Sequence, residues 1–203
     1  MKKANFFIAI AAGVFLFTYC TDQPPASSTR EANADTTAPT QEELVRRGEY
    51  LVAITGCNDC HSPKRMGPKG PELIPELMLS GYPAEQPLPE VDASVLPEGW
   101  AMFTPDLTAA VGPWGVSFAA NITSHETGIG NWTEEQFRKA FTEGKSKGLE
   151  GTRPILPPMP WANYINIVDE DLKAIFAYLK STNPVENAVP NPIPPGELNG
   201  PVE

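Results

Sequence analysis

The stretch GCNDCHSPK occupies residues 56–64, and it decides more than any other part of the chain which fold to expect. Cys57 and Cys60 are separated by two residues, and His61 directly follows the second cysteine. This order suits three kinds of site: a covalently bound haem, part of a zinc site, or a redox-active dithiol. The rest of the sequence is needed to choose among them.

Covalent attachment of haem requires all three residues at this spacing. Two thiols add to the two vinyl groups of one porphyrin, and a gap of two residues spans that distance along a single turn of helix. A histidine directly after the second cysteine lies below the centre of the ring, where its imidazole binds iron. Cys57, Cys60 and His61 are therefore predicted to hold one covalent haem c. His61 is expected to donate its other ring nitrogen to a backbone carbonyl.

The alternatives fit the sequence less well. A structural zinc ion needs four Cys or His ligands, and beyond the motif the chain offers only Cys20 and His125. A thioredoxin-like dithiol needs a βαβ pattern around the cysteines, and the sequence shows none. A structural disulfide between Cys57 and Cys60 is the least specific alternative.

Iron also needs a ligand on the opposite face of the ring, or else an open position. Met159 lies in the segment LPPMPW, where flanking prolines restrict the backbone and reduce the entropy lost when the thioether is held against iron. Met66 is too close to His61 in sequence to reach the other face. The remaining candidates are Met78, Met102 and His125. An iron without a sixth ligand is a further alternative.

The N-terminus is typical of an exported protein. Two lysines precede an apolar run from Phe6 to Tyr19, which suits a signal peptide but is shorter than the roughly 20 residues that span a bilayer. Cys20 follows directly, where a bacterial lipoprotein carries its lipid, so residues 1–20 are interpreted as a lipoprotein leader. We expect a membrane-anchored lipoprotein that faces the periplasm. An uncleaved N-terminal anchor and a soluble periplasmic form are the alternatives.

The remainder of the chain divides into a tether, a folded part and a tail. Residues 21–39 are small and polar and are predicted to form a flexible tether, whereas residues 183–203 form a proline-rich tail. Residues 40–182 are predicted to form a single domain between them. The net charge is −10, so nucleic acid is not an expected partner, because an acidic surface repels its phosphates.

Three helices are predicted in this domain. Thr40 begins one capping box, Thr133 begins another, and Asp169 is predicted to cap the third helix. The apolar residues that follow each of these positions fall at helical spacing. The stretch between the first two helices, residues 62–132, is rich in Gly and Pro and is expected to form a long loop. Short runs within it, such as GVSFAANIT, could be strand.

These features together resemble a mono-haem class I c-type cytochrome: CNDCH after a capped helix, Met159 among prolines, and the final helix DEDLKAIFAYLKS. The segments NITSHETGIGNWTEEQFRKAFTEG and RPILPPMPWANYINIVDEDLKAIFAYLKSTNPV are similar to cytochrome domains that serve membrane-bound alcohol, aldehyde and sugar dehydrogenases. The likeness covers residues 43–190. It implies an all-α fold, the small cytochrome c fold, with three main helices around one covalent haem and a long loop insertion rich in Gly and Pro.

The resemblance also implies a function and roles for individual residues. Cys57 and Cys60 would hold the haem, His61 and Met159 would bind its iron, and Arg153 would pair with a haem propionate. The chain would be an electron-transfer protein rather than an enzyme, and it would move single electrons between redox proteins. Its donor would be a dehydrogenase or a quinol-oxidising protein, and its acceptor an oxidase or a reductase.

Two alternative functions stay open from the sequence. Cytochrome subunits of dehydrogenases usually carry several CxxCH motifs and this chain carries one, so it fits a stand-alone carrier as well as a haem subunit of a dehydrogenase complex. An iron with an open position would instead suit a five-coordinate haem enzyme or sensor, such as a peroxidase.

Overall fold

A computed structural model describes residues 38–92, 94 and 96–198 of the chain. Within this part, four α-helices occur with two small antiparallel sheets. In chain order the elements are α1 (Gln41–Ile54), α2 (Cys57–His61), β1 (Lys64–Gly67), β2 (Gly70–Leu73), β3 (Met102–Phe103), β4 (Ala109–Gly112), β5 (Gly115–Phe118), α3 (Glu134–Glu143) and α4 (Asp169–Ser181). The predicted leader with Cys20, most of the predicted tether and the end of the tail lie outside the described residues.

The expectation of an all-α fold is wrong, because the stretch predicted as a loop contains both sheets. Strand β1 pairs with β2 in an antiparallel hairpin, and the second sheet has the antiparallel order β3-β4-β5. These strands have only two to four residues each, which is too short for an alternating pattern to stand out in the sequence. Only the run that forms β5 was a candidate strand. The fold is therefore mixed α and β.

Helices α1 and α4 cross at Gly48. A Cβ atom at this position would overlap the carbonyl oxygen of Ala174 and would lie 2.7 Å from Cβ of Tyr178. Glycine therefore allows the two backbones to approach at a distance that any other residue would prevent. The buried core around this crossing consists of Leu51, Val52, Leu79, Ile129, Phe137, Phe141, Leu172, Ala174, Ile175 and Leu179.

The first two long helices begin at the predicted residues. At Thr40 both hydrogen bonds of the capping box form, one from the Glu43 backbone N–H and one from the Thr40 N–H to the Glu43 carboxylate. Thr133 accepts a bond from the backbone N–H of Gln136. The Gln136 side chain, however, donates to the Lys147 carbonyl rather than completing a second capping box.

The third long helix, α4, begins differently from the prediction. Val168 occupies the cap position without a side-chain hydrogen bond, and Asp169 is the first helical residue. A carboxylate there still stabilises the helix, because it lies near the positive end of the helix dipole. It also accepts a bond of 2.8 Å from Arg138 of α3, so it links the two helices.

Residues 183–193, called the strap from here on, run along residues 62–127, which contain both sheets and are called the sheet region. Ile193 forms an antiparallel bridge with Val116 of β5, with hydrogen bonds of 2.8 and 3.1 Å in the two directions. In the described ranges, no helix combines the length and the apolar character needed to cross a membrane. The predicted boundaries 1–20, 21–39, 40–182 and 183–203 stay predictions.

Candidate cofactor site

The two cysteines and the histidine of the CNDCH motif form a helix of five residues, α2. Gly56 precedes it in the left-handed conformation, with φ at 71°, and this turn separates α2 from α1. Cys57 and Cys60 are three residues apart on one turn, so they share a face of the helix. Cys57 also packs against the buried core, and no disulfide joins Cys57 to Cys60.

The environment of the two thiols does not suit a redox dithiol. Burial raises the pKa of Cys57 above its ordinary value, and burial likewise raises the pKa of Cys60, although Lys64 acts in the opposite direction there. Reactive dithiol motifs usually contain a thiol with a lowered pKa, because the thiolate is the reactive form. Among the described residues, no three His, Cys, Asp or Glu side chains come together as a metal site.

His61 has one ring nitrogen engaged by the protein. Its Nδ1 lies 2.7 Å from the carbonyl oxygen of Ala120, and because a carbonyl can only accept, Nδ1 carries the proton. Burial lowers the pKa of His61, while the Ala120 carbonyl acts in the opposite direction, so the neutral imidazole is favoured. In that tautomer Nε2 presents a lone pair, and no residue of the described part bonds it. The predicted bond to a backbone carbonyl is confirmed.

Two adjoining segments hold His61, one through its backbone carbonyl and the other through its ring. Gly81 donates its backbone N–H to the His61 carbonyl at 2.8 Å, and Ala120 accepts from the ring. The segments are joined by a bond of 2.9 Å from Tyr82 N to Ala119 O. A Cβ atom at Gly81 would overlap the Ala119 carbonyl, so this contact requires glycine. The pairing of segments so distant from α2 left no signal in the sequence.

Met159 packs against the same buried core as Cys57. The loop before it is fixed on two sides, by a bond of 2.6 Å from Ser117 Oγ to Pro157 O and by one of 2.7 Å from Ile155 N to Gly144 O. Met159 is half-buried and, among the described methionines, it is the one in contact with this core. The prolines around Met159 therefore lie in a loop that is also held in place by a hydrogen bond from Ser117 of β5.

The segment after Met159 brings Tyr164 close to Cys57 of α2. Tyr164 ends a short 3₁₀ helix (Trp161–Tyr164) and stacks on Phe141, with 4.4 Å between ring centroids. Burial raises the pKa of Tyr164, and the nearby Cys57 thiol raises it further. Cys57, Tyr164 and Met159 thus all line the apolar core formed by the helices.

The other predicted candidates lie in different surroundings. Met66 of β1 is 70% exposed, and the His125 ring is engaged by the Thr127 backbone N–H at 3.2 Å. Met78 and Met102 are half-buried. Arg153 is exposed and donates to the carbonyl of the adjacent Pro154 at 2.8 Å, so its pairing with a propionate stays a prediction.

Lys64 is a residue of the site that sequence reasoning missed. Its ammonium donates to the carbonyls of Asn58 (3.4 Å), Asp59 (2.6 Å), Ser62 (3.1 Å) and Asp106 (2.8 Å). The first three belong to α2 or directly follow it, so Lys64 satisfies the carbonyl end of the cysteine helix and ties it to the loop before β4. Contacts to backbone atoms leave no side-chain pattern, which is why the quoted stretch did not reveal this role.

The residues present fit a covalently attached haem. Two thiols on one helical turn, a neutral imidazole with a free Nε2, and a thioether on an adjoining apolar core together make up the donor set for that group. A hydrogen bond from the other ring nitrogen to a carbonyl, as Nδ1 makes here, is also the usual support for a metal-binding histidine. The class of site that the geometry suits best is therefore a c-type haem site.

Comparison with known proteins agrees with this class. No family model matches the chain. It is 27% identical over 186 residues to the fructose dehydrogenase cytochrome subunit of Gluconobacter japonicus, covering 90% of this chain and 28% of that protein. It is 31% identical over 138 residues to the gluconate 2-dehydrogenase cytochrome c subunit of Pantoea cypripedii, covering 68% and 23% respectively. It is 28% identical over 138 residues to the alcohol dehydrogenase (quinone) cytochrome c subunit of Gluconobacter oxydans, covering 68% and 21%.

These relatives are cytochrome subunits of dehydrogenases, so the resemblance drawn from the motifs is confirmed at that level. The chain spans less than a third of the length of each of them. The assignment to a mono-haem class I cytochrome stays a prediction.

Proposed function

We propose that this chain is an electron-transfer protein with one c-type haem bound covalently to Cys57 and Cys60. His61 Nε2 and Met159 Sδ would bind its iron. The observation that carries the proposal is the hydrogen bond from His61 Nδ1 to the Ala120 carbonyl. His61 lies on the same short helix as the two cysteines. When bound, the haem supplies one-electron chemistry between Fe(III) and Fe(II).

The chain's own residues then have binding and positioning roles rather than catalytic ones. The cysteines would prevent the group from dissociating, and the histidine and methionine would both bind its iron, which would leave no position for a substrate. The apolar core behind Cys57 and Met159 excludes water from one side of the site. Arg153 pairs with a propionate at the exposed side of the methionine loop.

The similarity to dehydrogenase cytochrome subunits supports a dehydrogenase as the electron donor, with a quinol-oxidising protein as the alternative. An oxidase or a reductase would accept the electron. The net charge of −10 suits partners with basic docking surfaces. The same similarity supports a second form of this function, in which the chain is the haem subunit of a dehydrogenase complex. Co-purification of a dehydrogenase that stays bound through gel filtration would identify that form.

The location is also part of the proposal. Residues 1–20 direct export, and lipid on Cys20 anchors the domain to a membrane facing the periplasm. Residues 21–39 act as the tether. Support comes from the apolar run that ends at Tyr19, directly before Cys20.

Haem attachment is tested by expression in a host with the machinery for covalent haem insertion. The purified protein should stain for haem on a denaturing gel, and the peptide that contains Cys57 and Cys60 should exceed its polypeptide mass by one haem. A double variant, Cys57→Ala with Cys60→Ala, should lose both signals. Cys20→Ser is the matched control, because it removes a thiol outside the motif: it should keep the haem and lose membrane association. A wild-type peptide around Cys57 and Cys60 with the mass of its amino acids alone would contradict the proposal.

Axial ligation is tested with carbon monoxide added to the reduced protein. The wild-type spectrum should not change, because both axial positions are filled, whereas Met159→Ala should bind carbon monoxide readily. Met66→Ala is the control, since that side chain is exposed, and it should behave as the wild type. Ready binding by the wild type would instead support a five-coordinate haem enzyme or sensor, such as a peroxidase.

A further inference from the structure

Asn187 of the strap makes three side-chain hydrogen bonds with a segment more than a hundred residues earlier in the chain. Its Nδ2 donates to the carbonyls of Ser80 at 2.7 Å and Tyr82 at 2.8 Å, and its Oδ1 accepts from the Ala84 N–H at 2.9 Å. The amide thus uses both of its donor hydrogens and its acceptor on one short stretch of backbone.

A second set of bonds fixes the strap to the segment that contains Ala120. Asn121 donates through Nδ2 to the carbonyls of Val185 at 2.8 Å and Asn187 at 3.3 Å. The Asn187 backbone N–H donates to Thr127 Oγ1 at 3.0 Å. The strap therefore joins the segments around residues 80–84 and 120–127 to each other.

These two segments are the ones that hold His61. Gly81, which lies between the two carbonyls bound by Asn187, donates to the His61 carbonyl at 2.8 Å. Ala120, directly before Asn121, accepts the bond from the His61 ring at 2.7 Å. The backbone at Gly81 contacts that of Ala119 without room for a Cβ atom, so a shift of one segment moves the other.

We infer that Asn187 is a positioning residue for the His61 imidazole, acting through Gly81 and Ala120. Its effect on iron rests on the proposed function. A carbonyl that accepts a hydrogen bond from Nδ1–H makes Nε2 a stronger electron donor. Such a ligand stabilises oxidised iron, so the bond lowers the reduction potential. Loss of the Asn187 amide lets the Ala120 carbonyl move and weakens that bond.

The test compares haem-loaded wild-type protein with Asn187→Ala and Asn187→Asp. The aspartate variant keeps the acceptor for Ala84 but cannot donate to the two carbonyls. Asn191→Ala is the matched control, because Asn191 is an exposed asparagine of the strap whose side chain bonds no described residue. The measurements are haem content, the midpoint potential, and exchange of the His61 Nδ1 proton followed by NMR.

Both Asn187 variants should keep the haem and exchange the Nδ1 proton about tenfold faster, as expected for loss of one hydrogen bond. The midpoint potential should rise in Asn187→Ala, whereas Asn187→Asp is judged by proton exchange, because its carboxylate charge itself lowers the potential. The Asn191 variant should match the wild type in all three. Haem-loaded variants with unchanged potential and exchange would overturn the inference, and so would failure of both Asn187 variants to fold, which would make the role purely structural. A wild-type protein without haem would instead overturn the proposed function.

Discussion

The helical core and the sheet region of this molecule are stabilised in different ways. The helical core, made by α1, α3 and α4, is held by buried apolar side chains and by the close crossing at Gly48. The sheet region with the strap buries apolar residues of its own, among them Tyr82 and Val116, and is held in addition by polar side chains that bond backbone atoms distant in sequence. Lys64, Ser117 and Asn187 are examples.

The difference shows how the site is assembled. The helical core supplies the apolar surface against which Cys57 and Met159 pack. The sheet region supplies the Ala120 carbonyl that orients His61 and the Ser117 hydroxyl that fixes the methionine loop. Cys57 thus depends on apolar packing, His61 depends on hydrogen bonds, and Met159 depends on both.

The largest expected effect concerns the helical core. Alanine normally stabilises a helix relative to glycine by about 1 kcal/mol. Gly48→Ala should have the opposite sign, because the added Cβ would overlap the Ala174 carbonyl and force α1 and α4 apart. We expect a loss of about 3 kcal/mol in the free energy of unfolding, measured with urea on the haem-loaded protein.

Arg46→Ala is the control for that experiment, because Arg46 is exposed on the same helix. It should change stability by less than about 0.5 kcal/mol. If Gly48→Ala were as stable as the wild type, the crossing would tolerate separation, and apolar packing would not depend on this contact.

The sequence predicted the helical core better than the sheet region, for a physical reason. Leu172, Ile175 and Leu179 show the helical period because burial acts directly on side chains, and the CNDCH motif fixes its chemistry by residue type. Asn121 and Asn187 look like ordinary loop residues, since their function depends on which backbone atoms the fold brings near them. The His61 carbonyl partner was predicted as a type of contact, but Ala120 could not be identified.

The next effect tests the sheet region. Lys64→Met removes the ammonium that bonds four carbonyls at the end of α2 and at Asp106, while it keeps a long apolar side chain. We expect a loss of about 2 kcal/mol in the free energy of unfolding, because bonds from a charged donor are stronger than neutral ones. Lys69→Met, on the exposed turn between β1 and β2, should change little. Equal values for the two variants would mean that Lys64 does not stabilise α2.

The smallest expected change in stability concerns the start of α1 in the helical core, and it depends on pH. Thr40→Ala removes the hydroxyl from the capping box and should cost about 1 kcal/mol near neutral pH, whereas Thr40→Ser should retain most of the cap.

Hydrogen bonds from the Thr40 backbone and hydroxyl lower the pKa of Glu43. The pKa of Glu43 is therefore lower in the folded state than in the unfolded state. The stability that these hydrogen bonds add is fully present above the ordinary glutamate pKa and is lost as pH falls through the lowered value. The stability difference between wild type and Thr40→Ala, followed by thermal unfolding, should therefore narrow in acid. Thr40→Ala keeps the backbone N–H that bonds Glu43, so a difference that stayed constant as pH falls through the lowered pKa would mean that the bond between the Thr40 hydroxyl and the Glu43 carboxylate contributes nothing to the cap.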